Sequence, residues 1–174
     1  IIIIFALFIL SIGSVMSTAL IPLTFAQKNT DSVDSNEKLN YTHHKIMVNG
    51  FNMHYVIGGK GDPVVLLHGW PETWYEWRHI IPELIDNNYT VIAPDMRGIG
   101  DSEKPQTGYD KKTIAEDIYQ LVKKLGYSKI YLVAHDWGGP VAYSYAAAHP
   151  QDIQKMIIVD VPLPGFGVEE AANF

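Results

Sequence analysis

The sequence predicts an α/β protein with a mostly parallel sheet that carries helices on both faces. Three short apolar segments indicate this, "DPVVLLHG", "YTVIAPD" and "KIYLVAHD", because strands buried on both faces read as continuous runs of Val, Ile and Leu. Segments with helical periodicity alternate with them, as in the units that build parallel sheets. Ligands of such sheets gather at the carboxyl ends of the strands, so the residues that end each run are the first candidates for a site.

Two segments precede this pattern. Residues 1–26 carry no charged side chain and end in the small-residue stretch Thr24–Ala26, which predicts a cleaved secretory signal peptide. A membrane anchor is the alternative, because about 20 apolar residues suffice to span a bilayer. The expected location is therefore secreted or extracytoplasmic, or else membrane-anchored through residues 1–26. Residues 27–40 are polar and predict a flexible linker, and the folded domain is expected over 41–174.

Composition excludes several classes of function. The net charge is −6 and the 13 Lys and Arg residues form no basic cluster, which excludes nucleic acid as a partner. The chain contains no cysteine, so disulfides, thiolate nucleophiles and cysteine-ligated zinc are excluded as well.

The elements of the domain follow in a regular order. A hairpin is expected first, because "KIMVNG" and "FNMHYVIGG" are joined at the turn dipeptide Asn49-Gly50. A helix over "YEWRHIIPELIDN" separates the first two buried strands. After the third buried strand, "WGGPVAYSYAAAHP" predicts a helix that Pro150 ends, and "IQKMIIVDVP" predicts the last strand.

The clearest helix is "TIAEDIYQLVKKLG", between the second and third buried strands. Thr113 and Glu116 fit a capping box at its start, and Gly126 fits the residue that stops it. Its apolar side chains recur at the spacing that places them on one face: Ile114, Ile118, Leu121, Val122 and Leu125.

The segment "AHDWGG" places Asp136 where an apolar strand meets a helix of small residues. Ala134, Gly138 and Gly139 leave room for a nucleophile elbow, a tight strand-to-helix turn that lifts one side chain above the sheet. The partial positive charge at the helix N-terminus favours an ionised carboxylate there. The alternative is that Asp136 only caps the helix, a common role for aspartate.

A carboxylate nucleophile indicates displacement at a saturated carbon. A serine that attacked such a carbon would form an ether, which water does not readily cleave. The carboxylate forms an ester instead, and an activated water can hydrolyse that ester through a tetrahedral intermediate.

Three ordered motifs resemble the α/β-hydrolase family, in its branch of epoxide hydrolases and haloalkane dehalogenases. They are "LLHGWPETWYEWR" at 66–78, "APDMRGIGDSEKP" at 93–105 and "AHDWGG" at 134–139. The resemblance covers 41–174 and implies the N-terminal portion of an α/β-hydrolase core domain. It implies no metal or organic cofactor, because the family's chemistry needs only carboxylate, imidazole and water.

The resemblance also assigns roles to single residues. Asp136 corresponds to the nucleophile, and the backbone N–H groups of Trp70 and Trp137 correspond to the oxyanion hole. Asp160, which ends the last apolar run, corresponds to the acid of the catalytic triad in some members; the alternative is a buried or capping carboxylate at a strand end. The peptide bond before Pro71 is expected to be cis.

The resemblance leaves the catalytic base unaccounted for. The chain has seven histidines, and none lies where the family's late histidine belongs. His68 and His135 correspond to structural positions. The helical lid and the last strands of the family core are also missing, so we expect part of a longer enzyme, with an exposed apolar sheet edge and no turnover by this segment alone.

The leading functional hypothesis is hydrolysis of an epoxide to a diol, with a small apolar organic substrate and water as reactants. The segment "HGWPETWYEWR" favours it. One alternative is a haloalkane or haloacid dehalogenase, because the indole N–H of Trp137 is able to bind halide. A second is a non-catalytic binding module on a hydrolase fold, since a fold does not fix activity.

Overall fold

The computed structural model of the chain describes residues 40–161. The predicted signal or anchor segment, the linker as far as residue 39 and the chain from residue 162 onward lie outside the described residues. Between residues 40 and 161, no helix combines the length and the apolar character needed to cross a bilayer.

The observed elements agree with the predicted order of a hairpin followed by alternating helices and strands. Two short 3-10 helices, Trp74–His79 and Pro150–Asp152, add to the longer elements. The strands and α-helices are β1 (Tyr41–Val48), β2 (Phe51–Gly59), β3 (Asp62–Leu67), α1 (Ile80–Asp86), β4 (Tyr89–Pro94), α2 (Lys111–Lys124), β5 (Ile130–His135), α3 (Gly138–Ala148) and β6 (Ile153–Val159).

The strands form one six-stranded sheet in the order β1-β2-β4-β3-β5-β6. The four strands β4, β3, β5 and β6 run parallel to one another. Strand β2 is antiparallel to both of its neighbours, β1 and β4. The hairpin turns at Asn49 and Gly50, whose φ angles are 42° and 82°. Positive φ at both central positions gives the turn whose twist matches that of the strands. The mostly parallel sheet is thus confirmed.

The surroundings of β3 explain why its sequence is apolar throughout Val64–Leu67. Val65 and Leu67 belong to the larger core cluster, which α2 and α3 cover. Val64 and Leu66 point to the opposite face and belong to a second cluster with Ile81 of α1. Both faces of the central strand are therefore buried under helices, as the continuous run of apolar residues predicts.

Helix α2 begins earlier than predicted. The capping box assigned to Thr113 and Glu116 is wrong, because the N-cap is Asp110, whose Oδ1 accepts a hydrogen bond from the Thr113 N–H at 3.0 Å. The Thr113 hydroxyl donates to the same carboxylate, so it supports the cap instead of providing it. The end is as predicted: Leu125 is the C-cap and Gly126 follows with φ 88°.

The predicted helix over "YEWRHIIPELIDN" is divided in two. A 3-10 segment, Trp74–His79, comes first, and α1 starts at Ile80. Pro82 has no N–H to bond the carbonyl of Arg78 four residues earlier, so a continuous α-helix through this stretch is disfavoured and proline is tolerated only in the first turn.

The register of the parallel strands defines the edge where a site can form. Leu67 pairs with Ala134, and His135 pairs with Val159. The strands β3, β5 and β6 therefore end at the same edge of the sheet. Asp136 directly follows β5 there, and Asp160 directly follows β6.

Candidate active site

Asp136 lies in a sharp turn between β5 and α3. Its backbone has φ 45°, a left-handed value that few non-glycine residues adopt. Three contacts fix this turn: the Asp136 N–H donates to the Val159 carbonyl at 3.1 Å, the Asp136 carbonyl accepts from the Gly139 N–H at 2.8 Å, and Gly138 packs on β3. A Cβ at Gly138 would lie 2.7 Å from the Leu67 carbonyl oxygen, so this position requires glycine. The predicted elbow is present.

The Asp136 carboxylate faces the loop that follows β3. Its Oδ1 accepts a hydrogen bond from the backbone N–H of Trp70 at 2.8 Å. This bond is the main reason why the pKa of Asp136 is below its usual value, and the Trp137 N–H and the charges of His135 and Lys111 lower it further. The two backbone N–H groups expected to form an oxyanion hole thus both act on this carboxylate, which is ionised at neutral pH.

His68 fixes the base of the loop that carries Trp70. Its side chain is fully buried, Nδ1 donates to the Gly69 carbonyl at 2.8 Å, and Nε2 accepts from the Met96 N–H at 3.0 Å. Burial lowers the pKa of His68, so the neutral imidazole bridges two loops. Its structural position is confirmed, and the peptide bond between Trp70 and Pro71 is cis, as the resemblance implies.

Asp160 lies beside the elbow, on the neighbouring strand end. It follows β6 directly, its side chain is exposed, and its φ is 53°. The pairing of His135 with Val159 places Asp136 and Asp160 at equivalent positions of adjacent parallel strands. The expectation that both emerge at the same edge is confirmed.

The histidines of the chain all fall within residues 40–161. Among these residues, no histidine nitrogen is hydrogen-bonded to the Asp136 carboxylate, whose partner is the Trp70 N–H. His135 precedes Asp136, but its Nδ1 lies 2.6 Å from Oε1 of Glu76 and so contacts that carboxylate. Two clusters have spacing that suits a metal ion: His54 with Asp95 and Asp101, and His135 with Glu72 and Glu76. In the first cluster, the side chains of His54 and Asp95 are hydrogen-bonded to each other, with 2.8 Å between Nδ1 and Oδ2.

Lys111 was not singled out from the sequence, yet it lies next to the elbow. The Lys111 Nζ is 3.8 Å from the centroid of the Trp137 ring, a cation–π contact. Burial lowers the pKa of Lys111, and the charge of Asp136 opposes that change. The first residue of α2 therefore stabilises both the ionised nucleophile candidate and the indole that follows it.

Replacing Lys111 with methionine is expected to raise the pKa of Asp136, because a neutral thioether replaces an ammonium that stabilises the carboxylate. The Trp137 ring also loses its cation, so its fluorescence should change. A ¹³C NMR titration of the Asp136 carboxyl measures the first effect. Lys112→Met is the matched control, since Lys112 is exposed and adjacent in sequence, and it should alter neither signal. Identical titrations in the wild-type and Lys111→Met proteins would contradict the assignment.

Known proteins resemble the chain in both sequence and structure. The model of the α/β hydrolase fold family matches residues 62–174. The soluble epoxide hydrolase of Corynebacterium sp. (strain C12) is 54% identical over 124 residues, 71% of this chain and 43% of that enzyme. Epoxide hydrolase 4 of Mus musculus is 41% identical over 129 residues, 72% of this chain and 36% of that protein. The chain thus spans less than half of the length of these relatives.

Solved structures agree with this similarity. The epoxide hydrolase CorEH superposes with a TM-score of 0.67 and 46% identity, over 76% of this chain and 50% of that one. The epoxide hydrolase VrEH1 of Vigna radiata superposes with a TM-score of 0.69 and 39% identity, over 71% and 39% of the respective chains. Since the family model covers more than half of the sequence, the chain belongs to the α/β hydrolase fold family.

Proposed function

We propose that the protein is a hydrolase that opens epoxides through a covalent ester of Asp136. One observation carries the proposal: an ionised carboxylate stands at a left-handed backbone position between β5 and α3, with one oxygen held by the Trp70 N–H. A carboxylate suits attack on saturated carbon, because the resulting ester can be hydrolysed. The names of the two relatives described above, both epoxide hydrolases, support an epoxide as the substrate.

The reaction has two steps. First, the carboxylate oxygen that Trp70 does not hold attacks a ring carbon, the ring C–O bond breaks, and the freed oxygen takes up a proton. A hydroxyalkyl ester of Asp136 results. Water then adds to the ester carbonyl, and the electron pair moves onto the oxygen that faces the Trp70 N–H, where it is stabilised. Collapse of this intermediate breaks the bond between the Asp136 carboxyl carbon and the alkyl oxygen. One proton of the water passes to that oxygen and the other to the base, so the diol leaves and the carboxylate is restored.

Other groups complete this scheme. We assign the Trp137 N–H to the same oxyanion, since it already acts on the Asp136 carboxylate. We assign Asp160 the role of the acid that orients the catalytic histidine, because it lies one strand away at the same sheet edge. The resemblance assigns protonation of the freed oxygen to lid residues and activation of the water to a late histidine.

The proposal is tested by trapping the ester. The full-length protein is mixed with an aryl epoxide, quenched in acid within one turnover and digested with trypsin. Cleavage after Lys129 and Lys155 yields residues 130–155, which contain two carboxylates, Asp136 and Asp152. We expect this peptide to gain the full mass of the epoxide, with fragmentation placing the adduct on Asp136. Asp152 serves as the internal control, because its buried carboxylate pairs with Lys123.

The same experiment separates the alternative functions. An epoxide adds without losing an atom, whereas an alkyl halide transfers only its alkyl group and releases halide. An adduct from the halide and none from the epoxide would favour a dehalogenase. Binding of the epoxide without any adduct would favour a non-catalytic module and would overturn the proposal.

The role of Asp160 is tested by the fate of the ester. Asp160→Asn should leave ester formation intact and slow ester loss, because the base that activates water loses its orienting acid. Equal rates of ester loss in the wild-type and variant proteins would remove Asp160 from the mechanism.

A further inference from the structure

Glu76 links the loop after β3 to the strand that carries the elbow. Its Oε2 accepts a hydrogen bond from the Gly69 N–H at 2.9 Å, and its Oε1 lies 2.6 Å from Nδ1 of His135. One side chain thus contacts the residue before Trp70 and the residue before Asp136. The Glu76 side chain is 14% exposed, so solvent screens these contacts only in part.

The residue that Glu76 holds is packed directly against the nucleophile candidate. A Cβ at Gly69 would lie 2.8 Å from Cβ of Asp136 and 3.2 Å from its Oδ1. The next N–H in the chain, that of Trp70, donates to the same Oδ1 at 2.8 Å. Any rotation of the loop at Gly69 therefore changes the position of the Trp70 N–H relative to the Asp136 carboxylate.

The surroundings of Glu76 suit a fixed support. Burial raises the pKa of Glu76 and Glu72 raises it further, whereas the Gly69 N–H and His135 act in the opposite direction. The more exposed Glu72 contributes a second carboxylate, 3.9 Å from Nδ1 of His135. Two carboxylates and an imidazole are thus clustered here, and the Glu76 carboxylate is hydrogen-bonded to the backbone of the loop.

We propose that Glu76 is a positioning residue, which holds the Gly69–Trp70 segment against Asp136 so that the Trp70 N–H meets the oxyanion of ester hydrolysis. This inference rests on the proposed function. The Trp70 N–H faces a carboxylate before the reaction and a full oxyanion in the tetrahedral intermediate, where misplacement costs most. Removal of Glu76 therefore slows ester hydrolysis more than ester formation.

Single-turnover kinetics of the full-length protein test this order of effects. Glu76→Ala should slow ester hydrolysis by about 10- to 100-fold, the range expected for a misplaced catalytic group. Ester formation should slow less, so the alkyl-enzyme accumulates. Glu76→Gln keeps an acceptor for the Gly69 N–H and should recover part of the rate. Glu83→Ala is the control, because Glu83 is an exposed glutamate of α1, and it should behave as wild type.

A second measurement does not depend on turnover. Amide hydrogen exchange at Gly69 and Trp70 should be faster in Glu76→Ala than in the wild-type and Glu83→Ala proteins. Unchanged exchange and unchanged rate constants would overturn the inference, and so would an equal slowing of both steps. If the wild-type protein forms no ester, the proposed function fails, and exchange alone then decides whether Glu76 positions the loop.

Discussion

Replacing Asp136 with asparagine is expected to abolish capture of the epoxide and to lower turnover by about 10⁴-fold or more, as removal of a covalent nucleophile does in other hydrolases. Asparagine has nearly the same shape, tolerates a positive φ, and offers an oxygen to the Trp70 N–H, so the elbow should persist. The loss of activity is then due to the missing carboxylate and not to a change of fold. Rapid-quench kinetics and mass analysis of residues 130–155 measure both effects.

The pH dependence follows from the direction of the Asp136 shift. Because the Trp70 N–H lowers the pKa of Asp136, the carboxylate stays ionised as the pH falls to the usual aspartate value of 3.8. Ester formation should therefore be lost only below that value, as far as circular dichroism reports a folded protein. Asp86→Asn, at an exposed position of α1, should keep the wild-type rate and profile. A half-maximal loss above pH 3.8 or an adduct on Asp136→Asn would contradict the assignment.

Replacing Asp117 with asparagine is expected to lower the free energy of unfolding by about 3–5 kcal/mol, because it leaves a buried guanidinium without its counter-charge. The Asp117 side chain is fully buried, and its two oxygens accept hydrogen bonds from Nε and Nη2 of Arg97 at 2.8 Å each. Asn49 of the hairpin turn donates to Oδ1 at 2.8 Å as well. This carboxylate therefore joins α2, the loop after β4 and the β1–β2 hairpin.

Denaturant unfolding followed by circular dichroism measures this loss. Asp86→Asn removes an exposed carboxylate and should change stability by no more than about 0.5 kcal/mol. The double variant Arg97→Met with Asp117→Leu should be more stable than Asp117→Asn, because it leaves no buried charge unpaired. If Asp117→Asn were as stable as Asp86→Asn, the ion pair between Arg97 and Asp117 would contribute little to the free energy of unfolding.

The features that the sequence predicted are those set by neighbouring residues. The elbow is recognisable because Gly138 and Gly139 follow Asp136 directly, and the turn requires small residues at those positions. The burial of β3 on both faces is visible as a run of apolar side chains. Local spacing also identifies the apolar face of α2, since its buried residues recur every three or four positions.

The features that the sequence did not predict depend on contacts across the fold. Glu76 meets Gly69 and His135 only because the fold brings its 3-10 segment next to the ends of β3 and β5. Lys111 reaches Trp137 from another helix, and no spacing rule relates residues of separate elements. Even the cap of α2 was misassigned: Asp110 and Thr113 are both good capping residues, and backbone geometry decided between them.

The hydrogen bonds of the elbow imply that the position of Asp136 is rigid. Asp136 is bonded through its N–H to Val159, through its carbonyl to Gly139 and through its carboxylate to Trp70. Such a group does not adjust to ligands of different size. Discrimination between substrates by shape must then depend on the residues around the exposed side of the carboxylate, where Trp70 and Trp137 are 62% and 49% exposed. Substitutions meant to broaden or narrow the range of substrates should accordingly change the residues around the carboxylate and leave the elbow intact.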